Sequence, residues 1–191
     1  MIWTNQQQEQ CITNEQRSLE NNFRLIMTRF AILSRAYISS VLTGLGDPSA
    51  IALKLFNLPS NMKFNIETAF GRTVGDEIIR LLSVNLIYLQ NLVNAVSSND
   101  TGLANENIKS LYQNTDYLAK YLSQINPYWN ENQWKVLLYN YNKDLIDDIE
   151  SQKVMGFNND LDIFDKLLLD ALEIGKYFAD GIGQYVSAPK K

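Results

Sequence analysis

The first long stretch of the chain, residues 19–45, carries a helical pattern of apolar positions. Steps of three and four residues, which place side chains on one face of an α-helix, separate the members of its main apolar stripe: Leu19, Phe23, Ile26, Phe30, Leu33, Tyr37 and Val41. Other apolar residues lie on further sides, and only a narrow stripe is polar: Arg24, Thr28, Arg35 and Ser39. Because a helix that is apolar around most of its circumference is normally buried by several neighbours, we expect this one to be the central scaffold.

Four further long helices are predicted by the same periodicity, at about residues 72–97, 101–125, 130–154 and 159–186. Asn130 with Gln133 has the spacing of a capping box, Pro127 closes the preceding helix, and Gly156 is a stop signal. Asp47 followed by proline predicts one short helix, whereas residues 60–71 are predicted to be irregular or weakly helical. No segment alternates long enough to predict a strand.

The sequence therefore predicts an all-α protein, an antiparallel up-and-down bundle of five long helices with one short helical insertion. We place this single domain at residues 18–187. A flexible N-terminal arm, rich in Gln and Asn, is expected at residues 1–17, and a tail at residues 188–191.

Composition excludes several kinds of function. The 191-residue chain has no histidine and a single cysteine, Cys11, so we expect no cofactor and no metal site built on imidazole or thiolate. A net charge of −4 argues against nucleic-acid binding. No signal peptide is visible, and Arg29 and Arg35 interrupt the longest apolar run, so we expect no membrane span and a cytosolic location.

The acidic residues of the last two helices are expected to lie on solvated faces. They fall opposite the apolar stripes or at their margins: Asp147, Asp148, Glu150, Asp162, Asp170 and Glu173. A ferritin-like metal site would need Glu-x-x-His pairs facing inward, and the histidines are missing. The aromatic residues around Pro127 are expected to form core and a capping layer, with a partner surface as the alternative, and Gly181 with Gly183 to mark a weak point near a helix end.

Asn85 and Asn142 each interrupt an otherwise apolar stripe. A buried amide without a partner costs roughly 1–3 kcal/mol, so each should meet a polar group or a water. One interpretation is a structural hydrogen bond between helices; the other is a polar pocket inside the bundle. We expect the two amides to belong to one common polar layer, with Arg29, on the flank of the first helix, reaching an acid such as Asp144, Asp148 or Asp165 on another helix.

Five motifs resemble a poorly characterised bacterial family of small helical bundles: MTRFAILSRAYISS (27–40), LTGLGDPSAIALKLFNLPSNM (42–62), AFGRTVGDEIIRLLSVNL (69–86), INPYWNENQWKVLLY (125–139) and ALEIGKYFADGI (171–182). The resemblance implies the bundle fold and, in relatives, histidines on the first, second and fourth long helices. In this chain Arg24, Asn85, and Tyr141 or Asn142 stand at those positions. If relatives bind a metal there, this chain has lost the ligands, and the family implies no established activity.

Two functions remain open. The first is a non-catalytic cytosolic bundle that acts through protein contacts or as a homo-oligomer, since no set of nucleophile, base and oxyanion donors can be assembled from these residues. The alternative is a bundle that binds a small ligand or is an enzyme, with an interior polar pocket. The candidate ligand-binding residues of that alternative are Asn85, Asn142, Arg29, Arg24 and Tyr141.

Overall fold

A computed structural model describes residues 13–154 and 157–189, with the side chains of residues 157–159 left out. Over these residues the chain forms α-helices and no strand. The helices are α1 (Asn14–Thr43), α2 (Pro48–Phe56), α3 (Leu58–Phe70), α4 (Arg72–Ser97), α5 (Thr101–Ile125), α6 (Glu131–Lys153) and α7 (Phe157–Ser187). The all-α bundle with five long helices is thus confirmed.

The first helix begins earlier than its apolar pattern predicts. Thr13 and Gln16 form a capping box: the Thr13 hydroxyl accepts from the Gln16 amide at 3.2 Å, and the Gln16 side chain accepts from the Thr13 amide at 3.0 Å. This cap satisfies backbone donors that the helix leaves free, so residues 14–17 are helical although we predicted them as part of the arm. Residues 1–12 lie outside the described part of the chain, as do Gly156 and the last two residues of the tail.

The region between α1 and α4 contains two short helices instead of one. The Asp47 carboxylate caps α2 by accepting from two backbone amides, as predicted. Residues 60–71 were predicted to be irregular or weakly helical, and they are helical as far as Phe70, since a second short helix, α3, follows α2 after a single residue, Asn57. Pro59 falls in the first turn of α3, where a helix tolerates a missing amide, and the side chains that fix α3 to the core recur every fourth residue: Leu58, Met62 and Ile66.

The five long helices surround one core, with α2 and α3 packed between α1 and α4. The first helix packs most extensively against the last one, α7, which also packs on α6; α5 lies between α4 and α6. Gly175 of α7 lies beside Arg24 of α1, and Phe164 lies beside Arg35. Increasing residue number in one helix therefore matches decreasing number in the other, so α1 and α7 are antiparallel.

Aromatic rings fill one end of this core. Phe23 of α1 stacks on Phe178 of α7 with ring centroids 5.5 Å apart, and Trp129 and Trp134 pack around Phe178. Gly181 is no weak point: a Cβ atom there would lie 1.8 Å from the Trp129 indole nitrogen. Glycine at this position therefore makes room for the tryptophan, while two other members of the aromatic group are exposed, Tyr128 and Tyr139.

Two of the described helices, α1 and α4, are long and apolar enough to cross a membrane. In each, 44% of the most apolar window is buried inside the bundle. Core helices of soluble proteins have the same length and composition, so this observation is weak support for a membrane span. The predicted absence of membrane association and the cytosolic location stay predictions.

Candidate functional site

A small cavity lies at the centre of the bundle, between α1, α4, α5 and α6. Its volume is about 50 Å³. Eight of its neighbours are apolar and four are polar, and none carries a charge: Met27, Phe30, Leu82, Leu86, Leu89, Leu111, Leu138 and Leu145 with Ser34, Asn85, Tyr141 and Asn142. Three of the five residues proposed from sequence as ligand-binding therefore line one space.

Asn85 and Asn142 line this cavity but belong to separate hydrogen-bond networks. The Asn114 amide nitrogen donates to the Asn85 side-chain oxygen at 2.6 Å and to the Leu81 carbonyl at 2.9 Å. The Asn142 amide nitrogen donates to the Thr115 hydroxyl at 2.7 Å, and that hydroxyl donates to a backbone carbonyl of its own helix. The expectation of one common hydrogen-bonded layer was therefore wrong. Each amide finds a neighbouring partner on α5, so neither needs the other.

Two hydroxyl groups on the cavity wall, unlike the two amides, make no hydrogen bond to α5. Ser34 is 1% exposed and Tyr141 is 8% exposed, and apart from each other neither hydroxyl has a hydrogen-bond partner within the described residues. Burial raises the pKa of Tyr141, and the nearby Ser34 hydroxyl opposes that rise only in part, so the phenol stays neutral. A buried polar group without a partner is unusual in a folded protein, which makes this side of the cavity the best candidate for contact with a ligand.

The two remaining sequence candidates lie elsewhere. Arg24 is paired with Glu20 of its own helix at 3.2 Å, and its side chain is 41% exposed. Arg29 is exposed and makes no ion pair within the described part of the chain, so the prediction that it reaches an acid on another helix was wrong. The physical reason is its position, since Arg29 shares the solvent-facing side of α1 with Leu25 and Ile32.

Arg35 is the arginine that crosses to other helices. Its guanidinium donates to Asp148 of α6 at 2.5 Å and to Asp160 of α7, and it lies 4.7 Å from the centre of the Phe164 ring. Asp148 is fully buried, so the expectation that it lies on a solvated face was wrong. Burial raises the pKa of Asp148 to about 6, against the lowering effects of Gln152 and Arg35. We call this group the Arg35 cluster: Arg35, Asp148, Asp160, Phe164 and Gln152.

A second pair of acids, Asp144 and Asp170, joins α6 to α7. Burial raises the pKa of Asp144, and burial with the neighbouring Asp144 carboxylate raises the pKa of Asp170 to about 6. Two carboxyl groups this close share a proton more readily than they hold two charges. Within the described residues no group of three or more acids, histidines or cysteines is placed to hold a metal ion.

Comparison with known proteins does not assign a function to these residues. No family model matches the chain, and neither a curated protein nor a solved structure is significantly similar to it. The resemblance to a bacterial bundle family therefore stays a prediction, and the function has to be argued from the geometry.

Proposed function

We propose that this protein is a non-catalytic helical bundle that acts as a homo-oligomer, assembled through the outer faces of α1 and α7. The observation that carries the proposal is the solvent-facing side of α1. Leu25 is 60% exposed and Ile32 is 47% exposed, with Arg29 between them on the same face of the helix. A polar stripe on a helix normally faces the solvent. In α1 the polar stripe containing Arg24 and Arg35 packs toward α7 and α6, and the apolar residues Leu25 and Ile32 face the solvent instead.

The last helix carries a matching pattern. Leu161 is 71% exposed and Leu169 is 61% exposed, and Asp165 lies between them at helical spacing. Like Arg29, Asp165 makes no ion pair within the described residues. Because α1 and α7 are neighbours, we place these exposed side chains on one surface, which we call the α1–α7 outer face: Leu25, Arg29, Ile32, Leu161, Asp165 and Leu169.

A second copy of the chain fits the chemistry of this surface. In a two-fold symmetric dimer the same patch faces itself, so Arg29 of each copy can pair with Asp165 of the other. The leucines and isoleucine then leave water, and burying each such side chain contributes roughly 1.5–3 kcal/mol. Isolated exposed leucines are ordinary in soluble proteins, whereas a contiguous exposed apolar patch with polar residues around it marks an interaction site.

Support for a non-catalytic role comes from the charged groups. Around the interior cavity the side chains are neutral. The buried acids of α6 are engaged with Arg35, Gln152 or a second acid, so they are committed to holding helices together. A general acid or base needs an open position next to a substrate, and these carboxylates face other side chains.

The experiment is a charge reversal followed by measurement of mass in solution. Arg29→Glu and Asp165→Arg should each shift sedimentation equilibrium toward monomer, because each places like charges opposite one another. The double variant, which exchanges the two charges, should recover the oligomer. Lys109→Glu, an equal charge change at an exposed position of α5, is the matched control and should leave the oligomer intact.

Two results would overturn the proposal. The first is a wild-type chain that sediments as a monomer at every concentration tested. The second is an oligomer that survives both single reversals, which would place its interface on another surface.

A further inference from the structure

The interior cavity has an apolar side and a hydrogen-bonding side. Leucines from α4, α5 and α6 form the first. The buried hydroxyls of Ser34 and Tyr141, which have no hydrogen-bond partner beyond each other within the described residues, form the second, with Asn85 and Asn142 beside them. A molecule that satisfies these hydroxyls must itself offer a donor and an acceptor. It must also be neutral, since the lining has no charge to compensate an ion and a buried unpaired ion is costly.

The size of the cavity restricts the occupant further. Pockets that take cofactors or drug-sized ligands enclose roughly 300–1,000 Å³, and a dry cavity of about 150 Å³ can hold benzene. At about 50 Å³ this cavity has room for roughly two to four non-hydrogen atoms. That excludes a nucleotide, a haem or an aromatic metabolite.

We propose that the cavity is a binding site for a short-chain aliphatic alcohol. The hydroxyl of the alcohol lies between Ser34 and Tyr141, donating to one and accepting from the other. Its alkyl part packs against the leucines. This site is independent of the α1–α7 outer face, and the two can be tested separately.

A route into the cavity is marked by one hydrogen bond. Asn114 lines an open groove on the α4–α5 surface together with Tyr88, Tyr117 and Tyr121. Asn85 lines the cavity, and the Asn114 amide donates to it at 2.6 Å. The amide pair therefore links a residue of the groove to a residue of the cavity, and this is the side from which we expect a ligand to enter. A ligand this small gains limited free energy, so its Kd is no tighter than roughly 10–100 μM.

The test is a titration of the full chain with 1-propanol, followed by NMR of leucine methyl groups. Methyls of Leu86 and Leu138, which line the cavity, should shift and reach saturation. Methyls of Leu167, buried on α7, are the internal control and should not saturate. Tyr141→Phe removes one hydroxyl with little change in shape and should raise the Kd about tenfold or more.

Tyr128→Phe, at an exposed tyrosine within the α5–α6 connection and outside the cavity lining, is the matched control and should leave the Kd unchanged. Circular dichroism melts check that each variant is folded; if Tyr141→Phe is not, Ser34→Ala replaces it with the same expectation. Shifts that rise linearly without saturation, or a Kd equal in wild type and in the folded hydroxyl variant, would overturn the proposal.

Discussion

Gly175 of α7 lies against the backbone of Arg24 in α1. A Cβ atom on this glycine would stand 2.7 Å from the Arg24 Cα atom and 2.8 Å from its backbone nitrogen. Backbone atoms cannot move aside as a side chain can, so the missing Cβ sets how closely the first and last helices approach. That approach brings Phe23 into contact with Phe178 and Arg35 within reach of Asp160.

Replacing this glycine should therefore separate the helices. We expect Gly175→Ala to lower the free energy of unfolding by about 1–3 kcal/mol, as overpacked cores do. Gly183→Ala is the matched control in the same helix, because a Cβ atom there meets only the Gln16 side chain at 3.7 Å. It should be neutral or stabilise by up to about 1 kcal/mol through helix propensity. Urea denaturation of both variants measures the difference, and equal effects would show that the close approach carries no strain.

The two asparagine networks make a prediction about coupling. Removing the Asn85 amide leaves Asn114 short of one acceptor, so Asn85→Ala should destabilise by about 1–3 kcal/mol. In a double-mutant cycle, Asn85→Ala and Asn114→Ala should couple by more than about 0.5 kcal/mol, whereas Asn85→Ala and Asn142→Ala should couple by less. Denaturant melts of the five variants measure both energies. The reverse order would restore the common polar layer that the sequence suggested.

The Arg35 cluster predicts a large effect from one surface-adjacent arginine. Arg35→Met leaves the buried Asp148 carboxylate without its cation, and breaking a buried pair costs about 3–5 kcal/mol. Lys109→Met, an exposed cation without a partner among the described residues, should change stability by no more than about 0.5 kcal/mol. Thermal melts of the two variants compare them. A loss for Arg35→Met as small as that of the control would mean that Asp148 is stabilised by Gln152 alone.

The contributions of Asp148 and Asp170 to stability should fall as the pH rises from acid to neutral. Each has a folded pKa of about 6 and an unfolded value of about 3.9, so the folded state binds the proton more tightly. The contribution is therefore complete below about pH 4 and is lost as the pH rises through about 6.

Asp170→Asn tests this pH dependence, because it removes a titrating group that faces Asp144 of α6 and Glu173 of its own helix. At about pH 7.5 the variant should be more stable than wild type by about 1 kcal/mol after allowance for solvent screening. At about pH 4 the advantage should disappear. Asp162→Asn, at an exposed position of α7, is the control. A difference between Asp170→Asn and wild type that is constant with pH would contradict the shared proton.

Periodicity and end signals predicted most helices because those features are local. Residues 72–97 and 101–125 agree with α4 and α5, whose ends are fixed by Gly71, the Asp100 cap and Pro127. The separate helix α3 was not predicted for a local reason, since a proline such as Pro59 can either end a helix or lie in its first turn. A sequence pattern alone does not distinguish these two uses.

The same reasoning from the sequence predicted only part of the site. Asn85 and Asn142 were found because a polar residue in an apolar stripe is conspicuous, and Tyr141 was named because the family resemblance places it or Asn142 where relatives are expected to carry a histidine. Ser34 was missed because a serine in a helix can satisfy itself on its own backbone. Arg24 and Arg29 were misplaced because α1 has apolar residues on several sides, so periodicity could not choose which side faces the neighbours. That choice is made by α7, more than a hundred residues away.

The pairing of α1 with α7 has a consequence for the order in which the protein can form. A ribosome releases α1 first and α7 last, and at roughly 5–20 residues per second the interval between them is on the order of ten seconds or more. Throughout that interval α1, which contains a stretch long and apolar enough to cross a membrane, lacks its main partner. A nascent chain of this protein therefore exposes the α7-facing side of α1 until α7 emerges from the ribosome.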